Sequence, residues 1–323
     1  MILNIIYLIA GLVFILVGAN MLTDGSSAIA KRWGVSDLVI GLTVVAFGTS
    51  APELVISIVS SINGSAEMAI GNVVGSNLFN VLVIIGVTAI VRPITVDRNI
   101  LTMDIPLVLL SALALLAIGS STVLDGTTSS VVSRVDGFLL LLFFAIFMRY
   151  TFSRATSAST EELPEQEEVK EMALWKSSLW IVIGLAGLII GGDRFVAGAS
   201  GIASGLGVSD AIIGLTIVAA GTSLPELATS ITAATKGKPG MAIGNVIGSN
   251  IFNIFLVLGC SAAIRPLPMG NIGMFDLLVL TGACFLFWLF GRFFKDRTFT
   301  RVEGALMFAC YVGYITKLVF EAV

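Results

Sequence analysis

Sliding the chain against itself by 173 residues lays Gly34–Pro93 on Gly207–Pro266 without a gap, and 34 of the 60 superposed positions carry the same residue. Whatever the first half folds into, the second half must fold into as well. The apolar pattern says what that is. Ten apolar stretches occur, at 2–23, 38–62, 68–91, 101–120, 136–152, 177–197, 211–234, 241–264, 272–291 and 302–320, each near the ~20 residues a helix needs to cross ~30 Å of hydrocarbon. Each half holds five of them. Five is odd, so the second half enters the membrane in the opposite orientation. The predicted fold is an all-α polytopic membrane protein of ten transmembrane helices in two inverted-topology five-helix repeats. Secondary transporters recurrently use this build, with the substrate near the midplane between the halves.

Composition agrees with the membrane reading. Hydrophobic residues make up 56% of the 323 and charged residues 12%, against roughly 45–50% and 25% in soluble domains. Such a chain cannot hide its apolar surface in a water-soluble core, which excludes soluble enzymes, disordered chains and disulfide-built secreted domains. A net charge of −3 gives no basic face for nucleic acid. Cys260, Cys284 and Cys310 all lie in apolar stretches and read as small packing residues rather than a redox or zinc set. No cationic segment precedes the first helix, which reads as a retained span rather than a cleaved signal peptide.

Three segments follow: a first repeat at 1–152, a linker at 153–176 and a second repeat at 177–323. The linker carries Glu161, Glu162, Glu165, Glu167, Glu168 and Glu171. It lacks calcium-loop spacing and is too short for a domain, so it reads as a solvated acidic connection rather than a regulatory cation site. Assigning the 18 lysines and arginines to alternating sides of the ten helices puts fourteen on one side and only Arg134, Arg194, Arg265 and Lys317 on the other. Cationic residues accumulate on cytoplasmic loops. The linker is thereby expected in the cytoplasm, with both termini outside the cell membrane.

Identity between the halves concentrates in two segments of each. The first reads GLTVVAFGTSAPEL (Gly41–Leu54) and GLTIVAAGTSLPEL (Gly214–Leu227); the second reads GNVVGSNLFN (Gly71–Asn80) and GNVIGSNIFN (Gly244–Asn253). Glu53 and Glu226 stand mid-span, where an ionised carboxylate costs several kcal/mol unless something pairs with it. None of the four segments contains Lys, Arg or His, and the chain has no His at all. The partner must be a bound cation or a proton. A pair of protonated, mutually hydrogen-bonded glutamates is the purely structural alternative, but it does not explain why the motif recurs around both acids.

Pro52 and Pro225 remove the amides that would bond the carbonyls of Gly48 and Gly221, loosening a turn of small residues whose carbonyls can face a cavity. Thr49 and Glu53, Ser76 and Asn80, Thr222 and Glu226, and Ser249 and Asn253 are each four apart, so each pair is expected on one helix face. Carboxylates, amides, hydroxyls and carbonyls suit hard cations such as Ca²⁺ and Na⁺ and not a soft metal. Two carboxylates neutralise one divalent ion. Gly71, Gly75, Gly244 and Gly248 read as close-packing positions. Asn72, Asn77, Asn245 and Asn250 read as interhelical hydrogen-bonding amides outside the site. Ser36-Asp37 and Ser209-Asp210 read as helix N-caps, and Asp104 and Asp276 as interfacial.

On these segments the chain resembles the cation/calcium exchanger superfamily, and within it the prokaryotic sodium/calcium exchangers, over essentially its whole length. The resemblance implies Ca²⁺ bound by Glu53 and Glu226 with the backbone carbonyls of Thr49 and Thr222. It also implies Na⁺ held by the same glutamates and by groups at Ala46, Ser50, Ser76, Ala219, Ser223 and Ser249, with Asn80 and Asn253 lining the site. The first and sixth helices are implied to slide over the other eight. Some members carry Asp where this chain has Asn80 or Asn253, leaving two carboxylates here rather than three.

The function expected is a secondary active antiporter, exchanging Ca²⁺ for Na⁺ across the cell membrane by alternating access. It needs no cofactor and works as a single protomer in the lipid bilayer. The alternatives are a H⁺/Ca²⁺ exchanger, in which the two glutamates carry protons back, and a divalent-cation channel or sensor, for which no output domain is visible. An intramembrane hydrolase lacks a base for its serines.

Overall fold

In a computed structural model, residues 1–126, 128–157, 172–207, 213, 217, 219–293 and 297–322 are described. The long helices are α1 (Ile2–Trp33), the pair α2 (Asp37–Thr49) and α3 (Ala51–Ile62), α4 (Ala66–Val91), α5 (Ile100–Gly119), α6 (Arg134–Ser157), α7 (Leu174–Gly205), α8 (Leu224–Thr235), α9 (Pro239–Ile264), α10 (Met274–Phe293) and α11 (Arg301–Ala322). Eight are long and apolar enough to span a bilayer unbroken, and α2–α3 makes a ninth span bent by 46°. The expected span at 211–234 is described from Ala219 onward, as the short helix Ala219–Gly221 and α8. Its first half, with Ser209-Asp210, lies outside the described residues, as does the acidic run Glu161–Glu171.

The repeat extends further in structure than in sequence identity. Adding 173 to the bounds of α3 and α4 gives 224–235 and 239–264, the bounds of α8 and α9. The twins α4 and α9 form the centre: 83% and 78% of their apolar windows are buried, against 22% for α1 and 17% for α11. Helices apolar on every side belong inside, and α1 and α11 present theirs to lipid. Phe252 on α9 packs edge-on against Phe47 of α2 and Phe144 of α6, with ring centroids 5.9 and 5.0 Å apart.

Two short antiparallel ribbons tie the halves together. Ile94–Thr95 (β1) pairs with Thr298–Phe299 (β4), and Val131–Val132 (β2) with Leu267–Pro268 (β3). β1 and β4 follow the third and ninth spans and lie on one face. β2 and β3 follow the fourth and eighth and lie on the other. Each half thus contributes one strand to each clasp.

Two expected boundaries move. The stretches 2–23 and 177–197 stop where hydropathy falls, yet the helices continue to Trp33 and Gly205. Small and polar residues there are carried by packing. The Thr23 and Ser27 hydroxyls bond back to the Ala19 and Thr23 carbonyls, which satisfies them inside the helix. Glycines seven apart on α1 (Gly11, Gly18, Gly25) and on α7 (Gly184, Gly191, Gly198) let the two backbones touch. A Cβ at Gly18 would sit 2.7 Å from the Gly184 carbonyl oxygen, and one at Gly25 would sit 2.8 Å from that of Ser177. Partner numbers fall as α1 numbers rise, so the pair is antiparallel. At 32 residues each, about 48 Å at 1.5 Å per residue, both helices exceed the bilayer core and must tilt.

Gly244 and Gly248 pack as expected. Their Cβ positions lie 2.7 Å from Leu38 O and 2.6 Å from Ala46 Cβ. The twin contacts of Gly71 and Gly75 would fall on residues mostly outside those described. Ser36 caps α2 by accepting from the Val39 amide at 3.3 Å. Asp104, near the start of α5, is fully buried in an ion pair with Arg154 at 2.7 Å and accepts from Tyr150 at 3.2 Å, binding α5 to α6. Asp276, largely buried as well, accepts from Tyr314 of α11.

Candidate cation-binding site

The site is built where two helices break. Pro52 has no amide for the Gly48 carbonyl, and the chain turns at Ser50 (φ −85°, ψ 5°) before α3 begins. Pro225 does the same in the second half, where Ser223 adopts φ −91°, ψ 4°. Thr49 and Glu53 therefore flank a bend instead of sharing a face of one straight helix, a correction to the four-residue spacing argument. The break puts Glu53 and Glu226 in the first turns of α3 and α8, where free amides favour negative charge.

On α4 and α9 the backbone departs from α-geometry in matching places. π-helical segments run over Phe79–Ile84 and Phe252–Leu258, and the Ile85 amide reaches back five residues to the Asn80 carbonyl. Asn80 and Asn253 sit in these segments. Such π-turns cluster at functional sites, and nothing in residue composition announces them.

Both glutamates are buried, Glu53 at 0% exposure and Glu226 at 1%. The repeats meet at them. Ser50 Oγ donates to Glu226 Oε1 at 3.1 Å, and Thr49 Oγ1 lies 3.2 Å from Asn245 Oδ1. The twin contacts are open. Both oxygens of Glu53 lack a hydrogen-bond partner, as do the hydroxyls of Thr222 and Ser223.

Further unpartnered atoms belong to Glu226 (Oε2), Ser76, Ser249, Asn80 (both amide atoms) and Asn253 (Oδ1). Buried polar groups are ordinarily satisfied, so eight sequence-selected residues carrying orphaned buried atoms mark a place built for something else to fill. Among the described residues neither glutamate has an ion-pair partner, and no group of three or more His, Cys, Asp or Glu side chains forms a metal cluster. Ala46 is buried on α2, and its carbonyl accepts from the Ser50 amide; Ala219 begins the short helix before Thr222.

The asparagines set aside in the sequence adjoin this space. Asn253 Nδ2 donates to Asn77 Oδ1 at 3.1 Å, and Asn77 Nδ2 to the Asn250 carbonyl at 3.3 Å, linking α4 to α9. Asn245 meets Thr49 directly. Their identity in both copies was the available signal, but identity alone does not separate packing amides from site amides.

A buried two-carboxylate centre between inverted helical repeats defines a membrane transporter for small cations. The sequence pattern of the sodium/calcium exchanger protein family matches residues 3–153 and 176–320. The chain is 33% identical to the sodium/calcium exchanger MaX1 of Methanosarcina acetivorans, covering 98% of this chain and 99% of that one. It is 36% identical to the inner membrane protein YrbG of Escherichia coli, over 80% and 79% of the two chains. A solved structure of the sodium-calcium exchanger NCX_Mj, soaked with zero Na⁺ and Ca²⁺, superposes with a TM-score of 0.82 at 34% identity, covering 98% and 99%. The chain belongs to the sodium/calcium exchanger family, a family of transporters and not of enzymes.

Proposed function

We propose that the chain is an antiporter of the cell membrane that moves Ca²⁺ against Na⁺ by alternating access. Glu53 and Glu226 bind both ions, so Ca²⁺ and Na⁺ exclude each other and one must leave before the other crosses. Carbonyls of Thr49 and Thr222 complete the Ca²⁺ shell. Ala46, Ser50, Ser76, Ala219, Ser223 and Ser249 serve Na⁺, with Asn80 and Asn253 lining the cavity. The peripheral α1–α7 pair slides over the rest, each protomer works alone, and both termini lie outside. The two halves, 1–152 and 177–323, act as opposed units joined by a cytoplasmic linker.

The observation that supports this reading most strongly is the set of buried, unpartnered oxygens around Glu53 and Glu226. An ionised carboxylate pair buried in this way needs cationic charge, and among the described residues no Lys or Arg pairs with either acid. The test is radiolabelled Ca²⁺ flux in proteoliposomes under imposed Na⁺, K⁺ or H⁺ gradients. Ca²⁺ uptake driven by an outward Na⁺ gradient is expected. Uptake driven as fast by a pH gradient with Na⁺ absent would contradict it.

A further inference from the structure

Two asparagines outside the proposed ligand set make the same hydrogen bonds in both halves. Asn72 Nδ2 donates to the Glu53 carbonyl at 3.3 Å and to Ser57 Oγ at 3.0 Å. Asn245 Nδ2 donates to the Glu226 carbonyl at 3.3 Å and to Ser230 Oγ at 3.0 Å. An amide nitrogen carries two hydrogens, and both are spent on the glutamate-bearing helix: one on the glutamate's own backbone, one on the serine a turn further on.

The halves differ elsewhere. Ser50 reaches Glu226 while Ser223 has no partner, and Thr49 reaches Asn245 while Thr222 has none. A contact kept at the same lengths while its surroundings take two arrangements belongs to a unit that moves as one body. That unit is the hairpin α3–α4, and its twin α8–α9.

Spacing shows what the contact aligns. Asn72, Ser76 and Asn80 are successive fours along α4, as are Asn245, Ser249 and Asn253 along α9, so each trio follows one helix face. The asparagine at the head of the row grips the glutamate backbone. The serine and second asparagine of each row carry buried atoms without a hydrogen-bond partner. The grip therefore fixes the height at which each carboxylate meets the hydroxyl and amide of the neighbouring helix.

We propose that Asn72 and Asn245 are positioning residues for cation binding: each holds its glutamate turn in register with the ligands one and two turns along its own helix. Asn245 does more than its twin in this arrangement, since its Oδ1 also receives Thr49 of the other repeat. That hydroxyl has a single proton, shared with the Val45 carbonyl at 3.0 Å. Asparagine suits the task because it gives two donors and one acceptor with no charge to bury.

The inference rests on the reading that Glu53 and Glu226 bind the transported ion, and the test separates the two. Purified protein in proteoliposomes is assayed for Na⁺-dependent ⁴⁵Ca²⁺ uptake across a Ca²⁺ series. Asn72→Ala and Asn245→Ala should each raise the half-saturating Ca²⁺ concentration about tenfold, while the maximal rate stays within about threefold. Ser57→Ala and Ser230→Ala, milder changes that keep the hairpin should the asparagine variants not assemble, should move half-saturation in the same direction by about two- to fivefold. Asn72→Ala combined with Ser57→Ala should add nothing beyond Asn72→Ala alone, because both act through one amide. Half-saturation within twofold of wild type, a lowered maximal rate with unchanged half-saturation, or additive shifts would each overturn the positioning role. Wild-type protein that shows no Ca²⁺ flux under any cation gradient would overturn the functional reading, and this inference with it.

Discussion

Ser50 and Glu226 stand 176 positions apart in the chain, yet the serine hydroxyl donates to the glutamate carboxylate across 3.1 Å at the meeting of the two repeats. The equivalent pair, Ser223 and Glu53, makes no such bond. Near-identical motifs thus occupy two different arrangements.

From this asymmetry, Ser50→Ala should weaken ion binding more than Ser223→Ala when binding is measured without turnover. A hydrogen bond to a charged group is worth about 1.5–3 kcal/mol, so the first variant should lose about tenfold in Na⁺ affinity by calorimetry in detergent. Equal losses in the two variants would mean that the resting protein does not hold this arrangement.

The seam between α1 and α7 makes a stability prediction. Gly18→Leu and Gly184→Leu each drive a side chain into backbone 2.7 Å away. Neither backbone can yield without parting the helices, and overpacking of this kind costs about 1–3 kcal/mol or more. The melting temperature in detergent should fall clearly in both. Gly313→Ala, whose Cβ meets nothing within 4 Å, should leave it unchanged or raise it.

Much of this was legible in the chain itself, for definable reasons. The 173-residue repeat, the mid-span acids and the prolines that break both helices are local or periodic signals, and they led to the family and the fold. The full length of α1 and α7 was not legible: beyond Thr23 and beyond Ala197 the residues are small or polar, and packing against the partner helix, which buries Gly25–Ala30 and Gly198, carries the helices onward. The π-turns at Asn80 and Asn253 have no compositional signature. Asn72 and Asn245 make the interhelical hydrogen bonds expected of them, but that each reaches its glutamate's own carbonyl, nineteen residues away, depends on how the hairpin packs and is not legible in the sequence. The difference between Ser50 and Ser223 could not be read from two copies that are alike in sequence.

Topology is tested by labelling in a background with Cys260, Cys284 and Cys310 replaced. A cysteine introduced at Gln166, in the linker, should react only with reagents on the cytoplasmic side, because the linker falls with the fourteen lysines and arginines and such residues accumulate on cytoplasmic loops. One introduced at Gly126, between α5 and α6, should label from outside. Labelling of both from the same side would contradict the ten-span, termini-out arrangement.

Charge bookkeeping at the site predicts a response to voltage. With Asn80 and Asn253 neutral, Glu53 and Glu226 give the empty carrier about −2, which one Ca²⁺ or two protons bring to zero. A third Na⁺ makes the sodium-loaded form +1 and the cycle electrogenic, at ~2.3 kcal/mol per 100 mV for each net charge moved. Ca²⁺ uptake into Na⁺-loaded vesicles should therefore accelerate when the inside is made positive, since one net positive charge leaves per cycle. Indifference to voltage would point to two-for-one exchange.

The central claim is that Glu53 and Glu226 together hold the transported cation, and the most direct measurement is Na⁺-gradient-driven ⁴⁵Ca²⁺ flux in Glu53→Gln and Glu226→Gln proteoliposomes, with folding checked by size-exclusion chromatography. Each substitution keeps the shape of the side chain and removes half the charge that balances the ion. The account predicts flux at the level of protein-free vesicles in both variants, with monodisperse protein. Near-normal flux in either one would contradict it.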